Sequence, residues 1–261
     1  RNLTAGSIFS QVEVAQFLLN IKNEYISNGF YNVEINDEIQ IDDENRAEID
    51  LSIKQGKIVK VSSMKILGSN EFTEKELLKL FTVGEAENIL FNLFTNKDEY
   101  SSKKFDQDIQ ALNNHYLNSG YLDFQIISVD RNLINNNQEI EVEIQISEGV
   151  KFKLGDITFS GETGTLSNEQ LRSFFSLKKG DIFNRQIIVD DIQKIIDAYS
   201  DKGYAFVDVN PLTKDYLDNI NINVNISLNK KVYINRIVIS GNARTQDEVI
   251  RREIGINEGG L

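Results

Sequence analysis

The chain has no cysteine, no tryptophan and one histidine, His115. Without thiols there is neither a disulfide nor a thiolate metal site, and a Ser-His-Asp or Cys-His mechanism would rest on His115 alone. The missing cysteines say nothing further about redox compartment. No apolar run approaches the roughly 20 residues of a membrane-spanning helix. The opening Arg1-Asn2-Leu3-Thr4 has no apolar leader core, so any signal peptide is expected to be removed or to lie outside this chain. Basic residues are also scarce: 28 Lys and Arg stand against 40 Asp and Glu, a net charge of -12. That balance argues against nucleic acid, which demands a cationic footprint, and against docking on anionic lipid. Only carboxylate or oxygen-ligand metal chemistry survives these exclusions, and the carboxylates form no convergent constellation. The acidic turn Asp42-Asp43-Glu44 lacks the spacing and turn glycine of a calcium loop and reads as solvated. Neither an enzyme nor a cofactor is expected.

What is present is a repeat. Hydrophobic residues make up 40% of the 261, enough for ordinary cores, and the same landmarks recur three times along them. A Tyr is followed four residues later by Gly and an aromatic at Tyr25/Gly29/Phe30, Tyr116/Gly120/Tyr121 and Tyr199/Gly203/Tyr204. Four, seven and eleven residues before each Tyr stand Ile21, Leu18 and Val14, then Leu112, Ile109 and Phe105, then Ile195, Ile192 and Ile188. That spacing is one face of a helix, and the glycines fall where a helix ends in the left-handed conformation. Extended segments follow at residues 31–35, 121–127 and 204–209. A turn comes next, and then a strand of period two: Ile49, Leu51 and Ile53; Ile140 to Ile146; Ile220 to Leu228. Residues 59–68, 152–161 and 232–241 align without a gap as a strand ending in Gly, and a change of parity within them predicts a bulge. Thr73/Glu76, Ser167/Gln170 and Thr245/Glu248 fit the capping box that opens a short helix.

One unit therefore runs strand, short helix, longer helix, strand, strand. The expected organisation is 1–57 the C-terminal part of a repeat, 58–150 a complete repeat with an inserted loop at 85–102, 151–230 a second complete repeat, and 231–261 the start of another. The expected fold class is α+β, each unit a mixed three-stranded sheet with two helices on one face. Short joints predict an articulated rod with limited hinging.

These residues resemble the polypeptide-transport-associated (POTRA) repeats of the Omp85 family of outer-membrane assembly factors, over essentially the whole chain. The likeness rests on the element order, the strand ending in Gly68 or Gly241 and the Y-x-x-x-G-aromatic helix end. Within that family, the long link at 85–102 resembles that of a third repeat in the bacterial β-barrel assembly factors. The chain then reads as the end of repeat two, repeats three and four, and the start of repeat five. The resemblance implies a non-enzymatic periplasmic scaffold, attached to the outer membrane through a β-barrel that follows it. Its partners would be accessory outer-membrane lipoproteins and unfolded outer-membrane clients, held by β-augmentation on exposed strand edges. A POTRA region of a dedicated secretion pore, or a structural adhesion or division module, is the alternative.

The expected partner surface is the edge strand and loop of the second unit: Tyr121, Leu122, Phe124 and Ile126, with Phe91 and Phe94 of the insertion. Any open sheet has edges, and the apolar insertion reads equally as local packing. The resemblance adds Arg251, Arg252 and Glu258 as a second docking segment, set against the plain reading of a solvated helix face. His115, one step off the apolar face, is expected to be partly exposed, with a cap contact favoured over a pH switch.

Overall fold

The computed structural model describes residues 6, 8–85, 96–242 and 244–254. Its backbone groups into two compact units, residues 1–116 with 123–149, and residues 117–122 with 150–261.

In the first unit, α1 (Gln11–Ser27) leads to the antiparallel hairpin β1 (Glu34–Ile41) and β2 (Ala47–Lys54). A complete layer pair follows: β3 (Lys60–Leu67), α2 (Glu74–Leu78), α3 (Ser102–Asn118), β4 (Gln125–Ile134) and β5 (Glu139–Ser147). The spatial order is β3-β5-β4, with β3 parallel and β4 antiparallel to the central β5. The second unit repeats this plan in β6 (Lys153–Gly161), α4 (Asn168–Ser173), α5 (Arg185–Ser200), β7 (Asp208–Tyr216) and β8 (Asn219–Ser227), in the order β6-β8-β7. It ends in α6 (Asp247–Ile254).

The alternating strands are central and bury one face. Ile140, Val142, Ile144 and Ile146 of β5, like Ile220, Ile222, Val224 and Ile226 of β8, are at most 3% exposed. Their counterparts in β2, Leu51 and Ile53, are 36% and 39% exposed, because β1 is the only strand beside them among the described residues. The predicted bulges are present as register shifts between Val61 and Ser63 and between Leu154 and Ile157. Both complete repeats carry their capping boxes, on Thr73 with Glu76 and on Ser167 with Gln170.

Three expectations need correction. The strand after each Gly-aromatic pair starts later than predicted, at Glu34, Gln125 and Asp208, five residues past each glycine. A tight turn intervenes, as Val33 N–H reaches the Phe30 carbonyl and Val207 N–H the Tyr204 carbonyl. Residues 232–241 form no strand. Their counterparts β3 and β6 are each held by the last strand of their own repeat, and no such strand follows 232–241 among the described residues. Thr245 does not cap a helix, since α6 starts only at Asp247 and Asn242 bonds Thr245 and Asp247 instead.

The recurring glycine does more than end a helix. In each copy its carbonyl accepts from the N–H that begins the next repeat: Val59 to Gly29 at 2.9 Å, Phe152 to Gly120 at 2.8 Å, Val232 to Gly203 at 2.9 Å. At Gly29 (φ +94°) a Cβ would collide with the Tyr100 carbonyl oxygen. Beside it the Ser101 and Ser102 hydroxyls donate to the Ser27 carbonyl at 3.3 and 3.2 Å, satisfying the open end of α1. Gly29 is thus required both for its backbone conformation and for the room it leaves.

Gly180 separates these two demands. It has φ +92°, but a Cβ at this position would meet nothing within 4 Å. Gly180→Ala should cost about 1–2 kcal/mol from the left-handed backbone alone. Gly29→Ala should cost more, about 3 kcal/mol or above, because a packed carbonyl must also move. Urea unfolding of the two variants measures the difference.

Candidate functional site

In a three-stranded sheet ordered first-last-middle, the two outer strands each leave one row of backbone N–H and C=O groups unpaired by the sheet. Such a row is a template for another extended chain unless something covers it. The four edges of the two complete sheets are treated differently.

The β3 edge is covered. Val61 N–H donates to the Asp98 carbonyl at 2.7 Å. Further along, Met64 N–H donates to Glu85 Oε1 at 2.8 Å and Ile66 N–H to Glu74 Oε1 at 3.0 Å. Side-chain carboxylates thus fill the places that a neighbouring strand's carbonyls would take. Among the described residues the β4 edge is uncovered. Ile140 faces β3, since its carbonyl accepts from the Ser62 hydroxyl, so alternate residues of β5 from Glu139 onward face β4. Val129, Arg131 and Leu133 then turn their N–H groups outward, and no side chain among the described residues accepts from them. A bulge at the start of β4 leaves Ile127 59% exposed.

In the second unit β7 carries Pro211, the only proline of the chain. Ile226 faces β6, because its carbonyl accepts from Glu162 N–H, so Val224 of the same parity does too. Pro211 is paired with Val224 and therefore turns its nitrogen outward, where it offers no donor. Among the described residues, the β6 edge has no side-chain cover between Ile157 and Gly161. In the first unit a groove of about 460 Å³ runs beside β1, lined by Leu18, Leu19, Lys22 and Val33 with Glu34, Ile35 and Asn36 on the strand itself.

Buried carboxylates hold the scaffold behind these edges. Asp108 is 2% exposed and accepts from the N–H and hydroxyl of Thr82 and from Val83 N–H, each at 2.9 Å. Asp191 is fully buried and accepts from the N–H and hydroxyl of Ser176 at 2.7 and 2.9 Å and from Lys194 at 2.6 Å. Both stand eight residues before the helix tyrosine and clamp the loop that follows the short helix. Glu148 accepts from the Ser69 hydroxyl and Glu71 N–H, each at 3.1 Å, and from the Tyr116 hydroxyl at 3.0 Å. Burial pushes its pKa up, but the hydrogen bonds from the Glu71 and Asn70 backbone, Tyr116 and Ser69 outweigh it and hold the carboxyl below the usual range.

The family model for POTRA, the surface antigen variable number repeat, matches residues 59–149, 152–229 and 232–261. The chain belongs to the POTRA family. The outer membrane protein assembly factor BamA of Neisseria meningitidis serogroup B is 27% identical over 254 residues, covering 97% of this chain and 32% of that protein. BamA of Buchnera aphidicola subsp. Acyrthosiphon pisum is 28% identical over 260 residues, covering 99% and 42%. The chain thus spans well under half the length of these relatives. The crystal structure of Haemophilus influenzae BamA POTRA3-5 matches at a TM-score of 0.62 and 23% identity over 78% of this chain and 79% of that one, which shows the fold.

Within these POTRA repeats the predicted partner residues scatter. Tyr121 and Phe124 are each 6% exposed, and Phe124 stacks on Tyr116 at 4.2 Å, so both lie behind the edge as core. Leu122 is half-buried against the core of the second unit, and Ile126 is half-buried in β4. The late start of β4 explains the shift: residues 121–124 form the turn, and the strand edge begins only at Gln125. Phe91, Phe94 and Glu258 lie outside the described residues. Arg251 donates to the Ile237 carbonyl at 2.8 Å, and Arg252 is exposed beside Glu253.

At the described ends of the expected loop 85–102, the chain is tied to the fold. Gly84 N–H bonds the Lys97 carbonyl, Tyr100 N–H bonds Val59, and Tyr100 is fully buried with Arg131 donating to its hydroxyl at 2.9 Å. His115 is partly exposed and packs edge-on against Phe72 at 4.6 Å, where burial lowers its pKa against the opposing pull of Glu76.

The depressed Glu148 pKa means that its contribution is present above the unfolded value, about 4.3, and is lost as pH falls below it. Glu148→Gln should therefore flatten the acid limb of stability below about pH 5, as followed by urea unfolding at several pH values. Asp108→Ala should cost about 2–4 kcal/mol by orphaning the Thr82 and Val83 amides, whereas exposed Asp106→Ala should stay within about 0.5 kcal/mol.

Proposed function

We propose that this chain is part of the periplasmic region of an outer-membrane protein assembly factor, and that it acts as a non-catalytic scaffold. Its relatives named as assembly factors support the role, and the likeness to a BamA POTRA3-5 structure supports reading 58–150 as repeat three, 151–230 as repeat four and 231–261 as the start of repeat five. Residues 1–57 are then the end of repeat two. Extended segments of accessory lipoproteins or unfolded outer-membrane clients add to the sheet as a further strand.

The observation that carries this reading is the contrast between the two edges of one sheet. Glu74 and Glu85 cover β3, while β4 leaves the outward N–H groups of Val129, Arg131 and Leu133 without side-chain acceptors among the described residues. Recognition by main-chain hydrogen bonds is tolerant of sequence, as a scaffold with many clients requires. The neighbouring half-buried Ile126 and exposed Ile127 add apolar contact at the start of the strand.

A photoreactive residue at Ile127, introduced into the full-length protein in cells, should capture a lipoprotein or an unfolded client. Val129→Pro removes one outward donor and should reduce that capture several-fold while the chain stays folded by circular dichroism. Equal capture from a photoreactive residue at Lys65, on the covered strand, would sink edge recognition as its basis.

A further inference from the structure

The two complete repeats share one topology yet leave opposite edges open, and nothing in their shared fold requires it. In β3 the carboxylates of Glu74 and Glu85 take the N–H groups of Ile66 and Met64. Their structural counterparts in β6 are Phe159 and Ile157: Met64 pairs with Val142 and Ile157 with Ile222, Ile66 with Ile144 and Phe159 with Val224. Glu162 N–H reaches across to the Ile226 carbonyl, so Ile157 and Phe159, of the opposite parity, turn their N–H groups away from β8. Asn168 stands on α4 where Glu74 stands on α2, one residue past the helix cap, and it makes no bond to β6. The start of β6 is already occupied, because Leu154 N–H bonds the Asp181 carbonyl and Gly180 N–H bonds Leu154. The open run is therefore 157–161. On the other side of this sheet, Pro211 interrupts the donor row of β7.

We infer that the third of these repeats in chain order, residues 151–230, accepts an extended polypeptide on β6, and that Pro211 and the carboxylate pair Glu74 and Glu85 are the devices that choose one edge per sheet. The inference rests on the strand-addition reading above and adds which strand of which repeat is used. The occupant is fixed by its chemistry. Outward N–H groups on alternate residues need carbonyls at the two-residue spacing of a strand, which an extended backbone supplies. A second copy of this chain is disfavoured, since each carries a net charge of -12.

Amide hydrogen exchange by nuclear magnetic resonance on the isotope-labelled 261-residue chain tests this, with a synthetic ten-residue peptide of alternating apolar and neutral polar residues as the probe. With peptide in excess, the Ile157 and Phe159 amides should exchange about tenfold or more slower, as should Val129 and Arg131, while Val209 and Thr213 stay unchanged. Asn168→Glu transplants the covering carboxylate and should abolish the protection at Phe159 but leave that at Val129. Pro211→Ala should create new protection at Thr213. Protection confined to β4, or falling along β7 in the unsubstituted chain, overturns the assignment to β6 but leaves strand addition standing. No protection at any edge overturns both. Protection at Ile157 that rises with protein concentration before peptide is added identifies a second copy as the occupant and also overturns the inference.

Discussion

Each sheet depends on its last strand. β5 and β8 are central, pairing in parallel with the first strand of their repeat and antiparallel with the middle one. Without that strand neither outer strand has a neighbour in the sheet, and residues 232–241, which no such strand follows among the described residues, form no strand. The hairpin β1-β2 shows the converse loss: with its last strand present and no first strand beside it among the described residues, the apolar face is only partly covered. Placing the last strand in the middle also makes two edges inevitable, and the two complete repeats treat those edges differently.

That treatment is carried by single side chains. A carboxylate bonded to an outward N–H, and a proline whose nitrogen points outward, both remove a donor from a strand row. The first is reversible by substituting Glu74 on the short helix and Glu85 beyond it, the second by a single substitution on the strand. Sheets of one topology can therefore be given different open edges without any change in core, turn or helix.

Much of the fold was legible because it is periodic. The 4-3-4 helix faces, the period-two strands and the parity change that marks each bulge are backbone geometry written in apolar residues. The uncovered strand edge was less legible. Tyr121 and Phe124 follow the glycine directly and read as strand, but the reversal that brings Gly120 to Phe152 takes up those residues in a turn and buries them. Asp108 and Asp191 went unread because their partners, Thr82 and Ser176, are distant in sequence. A signal was there: an acid eight residues before the tyrosine in both complete repeats, matched by a hydroxyl residue directly after Phe81 and Phe175. The edge covers were hidden for the same reason, as Glu74 and Asn168 look alike at a helix start until their reach to the neighbouring strand is known.

The clamp at Asp108 has a consequence for how this repeat can change over time. Thr82 and Val83 are fixed by the buried carboxylate, and Gly84 is tied directly to Lys97. The points where the chain leaves and returns, Gly84 and Lys97, are therefore bonded to each other and form a closed base. Closure entropy rises by only about 0.6 kcal/mol for each doubling of a loop's length. New sequence can be tried there, lengthened or discarded, while the helices and strands that fix the core keep their own spacing.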